Sequence, residues 1–441
     1  AIYNKGTIGN ITGDFIGNSA GGAGGAIYNG ENSTIGDITG DFIGNSATIY
    51  SGAIWNNGGT IGDITGDFIG NSTADGNGSA ISNYGTIGNI TGDFIGNSAT
   101  DYGGAIYNGR TISDITGDFI GNSAGGAGGA IYNGSGSTIS DITGDFIGNS
   151  AGGSGGAIYN GSGSTISDIT GDFIGNSAGG SGGAIYNAWY SYSVLGSSGS
   201  AIIGNITGDF IGNSAGGAGG AIYNYGTIGD ITGDFIGNYA KSETGEAKGG
   251  AIYSYSDLSL VADNRTNTFK DNYTESAGVK DDNAIYIDNN ATLNFTMKNN
   301  GKFYMADNID GTVTKDSDGN ITKTYSVNIQ GDNINDTTFY MLNDIRNANV
   351  TFDNTTINAV NNQTHVYNFN TLTVNSDTNF VADVDLANEQ MDRISATNYG
   401  THNGNLNVVG MNLLSDSTKD VTEIYFAQPG LKNNVVNGMP K

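Results

Sequence analysis

Carboxylates recur at a fixed position along the first 240 residues of the chain. Each copy of the octapeptide Ile-Thr-Gly-Asp-Phe-Ile-Gly-Asn contributes one aspartate, and the position four residues earlier is Asp or Asn. If successive copies stack, like charges lie ~5 Å apart and repel by about 1 kcal/mol even at high dielectric. Ca²⁺, which prefers oxygen ligands, would relieve that repulsion. The candidate calcium ligands are Asp14, Asp41, Asp67, Asp118, Asp145 and Asp172.

The same aspartates have a simpler interpretation. An aspartate in a Thr-Gly-Asp turn caps the turn through its own backbone, and salt screens the repulsion between copies. The spacing also differs from the calcium-binding nonapeptide of β-helical repeats. We therefore expect no required cofactor, and calcium is the one ion that the pattern permits.

Aromatic residues cluster in one insertion, Ala188–Ser198, which makes its repeat 37 residues long where most neighbours have 25 to 27. Trp189, Tyr190 and Tyr192 on a protruding loop would stack on sugar rings or on a protein partner. Binding residues are often carried by loops on a rigid scaffold. The alternative is a loop that folds back over an exposed edge.

Catalytic chemistry has little support in the sequence. The two histidines, His365 and His402, are far from any nucleophile motif, and residues 1–240 contain only Lys5 and Arg110 as basic side chains. Carboxylates that recur in every repeat do not single out one acid–base pair. We predict that the protein is not an enzyme; a polysaccharide-active β-helix enzyme is the remote alternative.

The elements that position these residues are set by the repeat itself. The octapeptide occurs nine times, and Ala-Ile-Tyr-Asn or a variant fills most of the gaps. Self-similarity at a fixed period is typical of solenoids. The copies begin at Ile11, Ile38, Ile64, Ile90, Ile115, Ile142, Ile169, Ile206 and Ile231.

The composition of each repeat favours strands over helices. Ile, Phe, Tyr and Thr fit strands, and Gly, Asn, Asp and Ser supply turns with unusual backbone angles. We predict an all-β, right-handed, single-stranded parallel β-helix with about one coil per repeat of 25 to 27 residues. Three strands are expected in each coil, near 26–29, 34–38 and 41–46.

Stacking places each repeated residue in a column. Asparagines in such a column bond to one another through their side-chain amides. The octapeptide phenylalanines would form one column and its final asparagines another, and both columns are expected to hold the solenoid together. The predicted members are Phe15, Phe42, Phe68, Phe94, Phe119, Phe146, Phe173, Phe210 and Phe235 for one column, and Asn18, Asn45, Asn71 and Asn97 with their successors for the other.

Adjacent apolar residues predict an outward-facing column as well. In Ile27-Tyr28 and Phe42-Ile43, strand alternation sends one member of each pair to the surface. Bends that let both members point inward are the alternative. Exposed apolar patches mark association surfaces. The candidate lateral-contact aromatics are Tyr28, Trp55, Tyr107, Tyr132, Tyr159, Tyr186 and Tyr223.

Composition divides the chain into three predicted parts. Residues 1–254 are regular glycine-rich coils, residues 255–375 continue the β-helix with irregular coils, and residues 376–441 form a closing segment, as solenoid ends require. The net charge of −27 argues against nucleic-acid binding and against adsorption to anionic lipid. No apolar run is long enough for a membrane-spanning helix.

The alternation of Gly-Gly-Ala-Ile, as at 128–131 and 155–158, with Phe-Ile-Gly-Asn resembles the GGA[ILV] and FxxN repeats of the chlamydial polymorphic membrane proteins. Those proteins are autotransporters of Gram-negative envelopes. The runs at 374–388, 391–394 and 406–414 also look like the end of an autotransporter passenger. The resemblance implies a pectin-lyase-like β-helix passenger outside the cell, usually an adhesin. It also implies an outer-membrane barrel in the full-length protein.

This chain differs from that family in its lack of cysteine and in its unusually uniform copies. We therefore expect an extracellular, cell-surface adhesin or structural surface fibre. A self-assembling filament or bundle subunit is the alternative. The expected partners are a host protein or glycan receptor, or further copies of the chain, and no nucleic acid.

Overall fold

The computed structural model describes residues 1–188, 199–400 and 402–415. All regular elements in these ranges are strands, and no helix is present that could span a membrane. The chain divides into two compact units. The first contains residues 1–229, 237–253 and 274–281, and the second contains 230–236, 254–273 and the described part of 282–441. The three parts predicted from the sequence, with their two boundaries, stay a prediction.

Each coil of the first unit contains five short strands. In the second coil they are Ile27–Asn29, Thr34–Ile35, Ile38–Thr39, Phe42–Ile43 and Ser46–Ala47. The prediction of three longer strands was wrong in detail, because Gly36-Asp37 before the octapeptide, and Gly40-Asp41 and Gly44-Asn45 within it, separate successive strands every four residues. Glycine adopts the positive φ values that such bends need.

The strand that begins each coil carries the Ile-Tyr-Asn motif, with Trp or Ser replacing Tyr in two coils. Its copies in the first unit are Ile2–Asn4, Ile27–Asn29, Ile54–Asn56, Ile81–Asn83, Ile106–Asn108, Ile131–Asn133, Ile158–Asn160, Ile185–Asn187 and Ile222–Asn224.

Equivalent residues of successive coils pair in parallel and in register. Ile131 pairs with Ile158, Tyr132 with Tyr159, and Asn133 with Asn160. The 37-residue repeat keeps this register, since Tyr186 pairs with Tyr223. The predicted parallel β-helix is confirmed, and its right-handed sense stays a prediction.

The phenylalanine column fills the interior of the first unit. From Phe42 to Phe210 the rings are fully buried, with successive centroids 4.7–4.8 Å apart and ring planes within 4° of parallel. Phe15 stacks on Phe42 in the same way. This spacing equals that of paired strands, so each ring stays in contact with the next.

Two asparagine columns flank this core. Nδ2 of Asn149 donates to Oδ1 of Asn176 at 3.0 Å and to the Phe119 carbonyl of the preceding coil at 2.8 Å. A second column, which the sequence analysis did not identify, begins at Asn4 and Asn29, where the Nδ2 to Oδ1 distance is 2.9 Å. Buried amides are thus satisfied from coil to coil.

Close stacking explains one glycine of the octapeptide. Gly144 has a φ of 150°, and a Cβ there would lie 2.0 Å from the Gly117 carbonyl oxygen of the preceding coil. No side chain fits in that space, so the Thr-Gly-Asp bend requires glycine.

The second unit uses longer strands in two parallel series and a pair of shorter strands, Asn283–Ile287 and Asn308–Gly311. The first series is Leu258–Asp263, Thr292–Lys298, Ser326–Gly331, Asn349–Asp353, Val366–Val374 and Arg393–Tyr399. The second series is Thr266–Lys270, Lys302–Met305, Thr338–Met341, Thr356–Asn358, Thr378–Asp385 and Leu406–Ser415.

Polar residues are buried in the second unit too. Asn272 donates its backbone N–H and its side-chain amide to Oδ2 of Asp307, at 3.0 and 2.8 Å. Burial raises the pKa of Asp307 to about 6, despite these hydrogen bonds. Asp392 accepts the backbone N–H groups of His365 and Asp383, both at 2.7 Å, and burial raises its pKa to about 6.

Candidate interaction surface

Tyrosines form an outward column along the first strands of successive coils, with Trp55 in one coil and Ser82 in another. In Ile158–Asn160 the isoleucine and asparagine are buried, whereas Tyr159 is half-buried. Strand alternation explains this pattern, because residues on either side of the tyrosine point inward. The structure places all seven predicted lateral-contact aromatics in this column, which extends to the exposed Tyr3 at one end and to Tyr253, which is buried, at the other. We call it the tyrosine column.

The rings of the tyrosine column cover one another. From Tyr107 through Tyr132 and Tyr159 to Tyr186, centroids lie 5.3, 4.7 and 5.0 Å apart, and the ring planes are within 5° of parallel. Each ring therefore shields the faces of its neighbours, and ring edges with phenol groups remain for contact with solvent. Burial raises the pKa of Tyr186 to about 12 and also raises the pKa values of Tyr132 and Tyr159.

The tyrosine column is interrupted in one coil, where a serine occupies the position of the aromatic residue. Ser82 stands in register between Trp55 and Tyr107, and its hydroxyl donates to the Asn77 carbonyl at 2.7 Å. Tyr84 packs against Tyr107 at 5.4 Å, which places an aromatic ring beside the interruption.

A second outward apolar column follows the phenylalanines. Phe146 is fully buried, whereas the adjacent Ile147 is half-buried and Ile211 is 37% exposed. We call this the isoleucine column; its members are Ile16, Ile43, Ile69, Ile95, Ile120, Ile147, Ile174 and Ile211.

The aspartates of the octapeptide bond to the neighbouring coil. Oδ1 of Asp118 accepts the backbone N–H of Asp145 at 2.8 Å, and Oδ1 of Asp145 accepts that of Asp172 at 2.8 Å. The same contact links Asp14 to Asp41 and Asp41 to Asp67. The acceptor is thus one coil away from its donor, rather than in the same turn as the sequence analysis expected. A carboxylate that accepts a backbone N–H makes a charge-assisted hydrogen bond.

Metal-binding clusters are not found in the described part of the chain, where no three His, Cys, Asp or Glu side chains converge on one point. Calcium between successive aspartates stays a prediction for a chelation experiment.

The histidines have partners within the second unit. Nε2 of His365 lies 2.7 Å from Oδ1 of Asp344, and Nδ1 of His402 accepts the Val374 backbone N–H at 3.2 Å. Burial lowers the pKa of His402. These contacts orient the loop segments that carry the two histidines. Among the described residues, neither histidine lies beside a nucleophile.

The predicted binding loop with Trp189, Tyr190 and Tyr192 lies outside the described residues. Its attachment point is described: the Ala201 backbone N–H donates to the Ala188 carbonyl at 3.0 Å. Ala188 follows Tyr186 by two residues, so the insertion starts at the end of a strand that carries the tyrosine column.

Three segments of the chain are similar to a known repeat family. Residues 92–109, 144–161 and 171–188 match the family model of the Chlamydia polymorphic membrane protein repeat. These three segments of the β-helix are similar to the Chlamydia polymorphic membrane protein repeat. Each matched segment runs from the Gly-Asp-Phe bend to the Ile-Tyr-Asn strand. Each matched segment contains one phenylalanine of the interior column, one asparagine of each asparagine column and one member of the tyrosine column. No curated protein and no solved structure matches the chain.

Proposed function

We propose that this chain is a non-enzymatic surface protein, displayed outside a bacterial cell in the manner of an autotransporter passenger, and that it acts as an adhesin. The observation that carries the proposal is the match of three coils to the polymorphic membrane protein repeat. Proteins with that repeat are surface-exposed and non-enzymatic.

The arrangement of side chains supports a contact function over catalysis. Successive coils of the first unit present equivalent outward positions in register, so its surface is a set of columns. Catalysis instead needs an asymmetric constellation of acid, base and nucleophile. Among the described residues, octapeptide aspartates of the first unit such as Asp118 and Asp145 accept backbone N–H groups of adjacent coils. Adhesion, by contrast, gains from repeated equivalent contacts, because linked weak contacts add in avidity.

A structural surface fibre is the second candidate, and the asparagine columns favour it. Hydrogen bonds between buried amides connect each coil to the next along the first unit. Such a unit resists local opening, as a fibre must. Electron microscopy of the purified chain distinguishes the two candidates: an adhesin gives separate particles, and a fibre gives extended filaments.

Surface display has a direct test. Intact cells of the bacterium that produces the chain are treated with a protease that cannot enter them, and the chain is followed with an antibody against residues 1–254. We expect its cleavage while a periplasmic control protein stays whole. Protection of the chain in intact cells would overturn the proposed location.

Adhesion is tested with beads that carry the full chain. Beads coated with the chain should attach to cultured epithelial cells more than beads coated with albumin. The triple variant Trp189→Ser, Tyr190→Ser and Tyr192→Ser tests the insertion, and Tyr239→Ser on the same unit is its matched control. If beads coated with the chain attach to these cells no more than albumin-coated beads do, an adhesive role toward these cells is contradicted.

A further inference from the structure

Asparagine followed by glycine is the sequence most prone to spontaneous loss of the side-chain amide. Glycine has no Cβ, so its backbone nitrogen reaches the preceding side-chain carbonyl carbon with little hindrance. Asparagine is one of the thermolabile residues of proteins. Whether a given pair reacts depends on how firmly the fold holds the asparagine side chain and the glycine nitrogen. The pairs in the described part of the chain begin at Asn29, Asn57, Asn77, Asn108, Asn133, Asn160, Asn300 and Asn403.

The second asparagine column protects the pairs that belong to it. The Gly134 N–H donates to the Asn108 carbonyl of the preceding coil at 2.7 Å. The Asn133 side chain is buried, and its Nδ2 donates to Asn160 Oδ1 at 2.9 Å and to the Thr165 carbonyl at 3.2 Å. Neither group can turn toward the other until the coil opens locally, and well-paired segments open rarely. The pairs held in this way begin at Asn29, Asn108, Asn133 and Asn160.

The third coil breaks this arrangement, because a second asparagine follows the residue of the column. Asn56 is the member of the second asparagine column, and its Nδ2 donates to Asn83 Oδ1 at 2.9 Å. The backbone N–H of Asn57 donates to the Asn29 carbonyl at 2.8 Å, which is the bond that glycine makes in the protected pairs. Gly58 is therefore displaced by one residue, out of the ladder and into an exposed turn with a φ of 78°.

This displacement leaves the Gly58 N–H unprotected. Among the Asn-Gly pairs of the described residues, it is the one glycine N–H that makes no hydrogen bond. The Asn57 side chain is half-buried and makes one hydrogen bond within the described part of the chain, from its Nδ2 to the Tyr28 hydroxyl at 3.2 Å. In the other pairs outside the ladder the glycine N–H donates to a backbone carbonyl, namely Gly78 to Tyr102, Gly301 to Lys298 and Gly404 to Val374.

We propose that the Asn57–Gly58 turn is a site of spontaneous deamidation in the folded chain. The Gly58 nitrogen forms a bond to Cγ of Asn57, the Cγ–Nδ2 bond breaks, and Nδ2 leaves as ammonia with the proton of the Gly58 N–H. Water then adds to one of the two carbonyl carbons of the cyclic imide and opens it to aspartate or to isoaspartate. Water is the only co-reactant. The proposal goes beyond the proposed function and does not rest on it.

The modification changes the surface beside one member of the tyrosine column. Either product places a carboxylate where the Asn57 amide now contacts the Tyr28 hydroxyl. A carboxylate only accepts hydrogen bonds, so the hydroxyl becomes the donor of this contact. Isoaspartate also routes the backbone through the side-chain carbon, which lengthens the turn by a methylene group. The buried Asn56 keeps its place in the asparagine column, so the coil stays folded while its turn gains a negative charge.

The test is mass spectrometry of the full chain after incubation at physiological temperature and mildly alkaline pH. Chymotrypsin cleaves after aromatic residues, so it releases the turn in the peptide 56–68 and the protected pairs in the peptides 133–146 and 160–173. The last two peptides have the same sequence and serve together as the matched control. Fragmentation distinguishes conversion at Asn57 from conversion at Asn56. A parallel incubation in concentrated urea gives the rates for the unfolded chain.

A deletion variant tests why the turn reacts. Removal of Asn57 gives this coil a turn of the same length as that at 83–86 in the next coil. There the Tyr84 N–H donates to the Asn56 carbonyl at 2.8 Å, so Gly58 should take the equivalent ladder position in the variant. The new Asn-Gly pair should then be as stable as the control pairs. Circular dichroism and the melting temperature establish that the variant folds.

We expect Asn57 in the folded native chain to convert at least about tenfold faster than the control asparagines, because a ladder pair must first open. In urea the two rates should agree within about threefold, since the ladder is then absent. Conversion at Asn57 that is no faster than in the controls, or that occurs only in urea, overturns the proposal. Conversion at Asn56 of the folded deletion variant as fast as at Asn57 of the native chain also overturns it, because the ladder would then give no protection.

Discussion

The substitution Asn149→Ala tests the asparagine column at a fully buried position. The side chain donates to Asn176 Oδ1 and to the Phe119 carbonyl, and its own Oδ1 accepts the backbone N–H and the Nδ2 of Asn122 at 3.0 Å each. Alanine makes none of these four hydrogen bonds. The Asn122 N–H loses its acceptor in a buried site, and each unsatisfied buried polar group costs about 1–3 kcal/mol.

The expected destabilisation is about 3–5 kcal/mol, since at least two buried groups lose partners. The matched control is Asn18→Ala, where a half-exposed side chain donates one hydrogen bond to Asn45 Oδ1 at 2.8 Å. That control should cost about 1 kcal/mol. The assay is urea unfolding of the full chain, followed by circular dichroism, with the shift in midpoint compared at constant slope. Equal midpoints for the two variants would refute the reasoning that buried amides stabilise the column.

Three further predictions concern ionisable groups. Because burial raises the pKa values of Asp307 and Asp392 to about 6, above their ordinary 3.8, both carboxyls bind protons more tightly in the folded chain. The free energy of unfolding should therefore increase by about 1–3 kcal/mol as pH falls from 7.5 to 5. The substitution Asp307→Asn should reduce this pH dependence. A free energy of unfolding that decreases over this range would contradict the prediction. In an alkaline absorbance titration, Tyr132 and Tyr159 should ionise above pH 10, and Tyr186 near 12, because burial raises their pKa values; ionisation of all three by pH 10.5 would argue against the stacked column. EDTA should leave the melting temperature unchanged, because aspartates such as Asp118 already accept a backbone N–H; a decrease of several degrees would instead establish bound calcium.

The sequence predicted the parts of the fold that repeat without variation. Nine near-identical copies, 25 to 27 residues apart except for one spacing of 37, required that Phe146 and Phe173 stack, because any register other than coil on coil would separate identical residues. The Asn149 and Asn176 amide pair follows from the same reasoning. Strand alternation predicted an outward column through Tyr132 and Tyr159 but left bends that turn both apolar residues inward as an alternative; in the structure both tyrosines are half-buried between buried neighbours.

Details that depend on backbone angles were harder to predict from the sequence. The division of 34–38 into Thr34–Ile35 and Ile38–Thr39 depends on a bend whose angle the composition does not specify. The second asparagine column was missed although Asn closes each Ile-Tyr-Asn motif, which was the available signal. For Asp145, the sequence indicated a hydrogen bond, but only the stacking distance shows that its donor belongs to the next coil. The second unit lacks strict repeats, so the buried position of Asp307 had no sequence signal.

The central claim is that residues of successive repeats lie directly above one another, one strand spacing apart. Spin labels at Thr39→Cys and Thr170→Cys test it, because both threonines are exposed, they are five coils apart in one sheet, and the chain has no other cysteine. Five steps of ~4.8 Å predict a distance of about 24 Å between the two backbone sites, broadened by the label arms. A narrow distribution near this distance in double electron–electron resonance is the expected result. A mean distance well above it, or a broad distribution typical of a flexible chain, would contradict in-register stacking and the surface columns that depend on it.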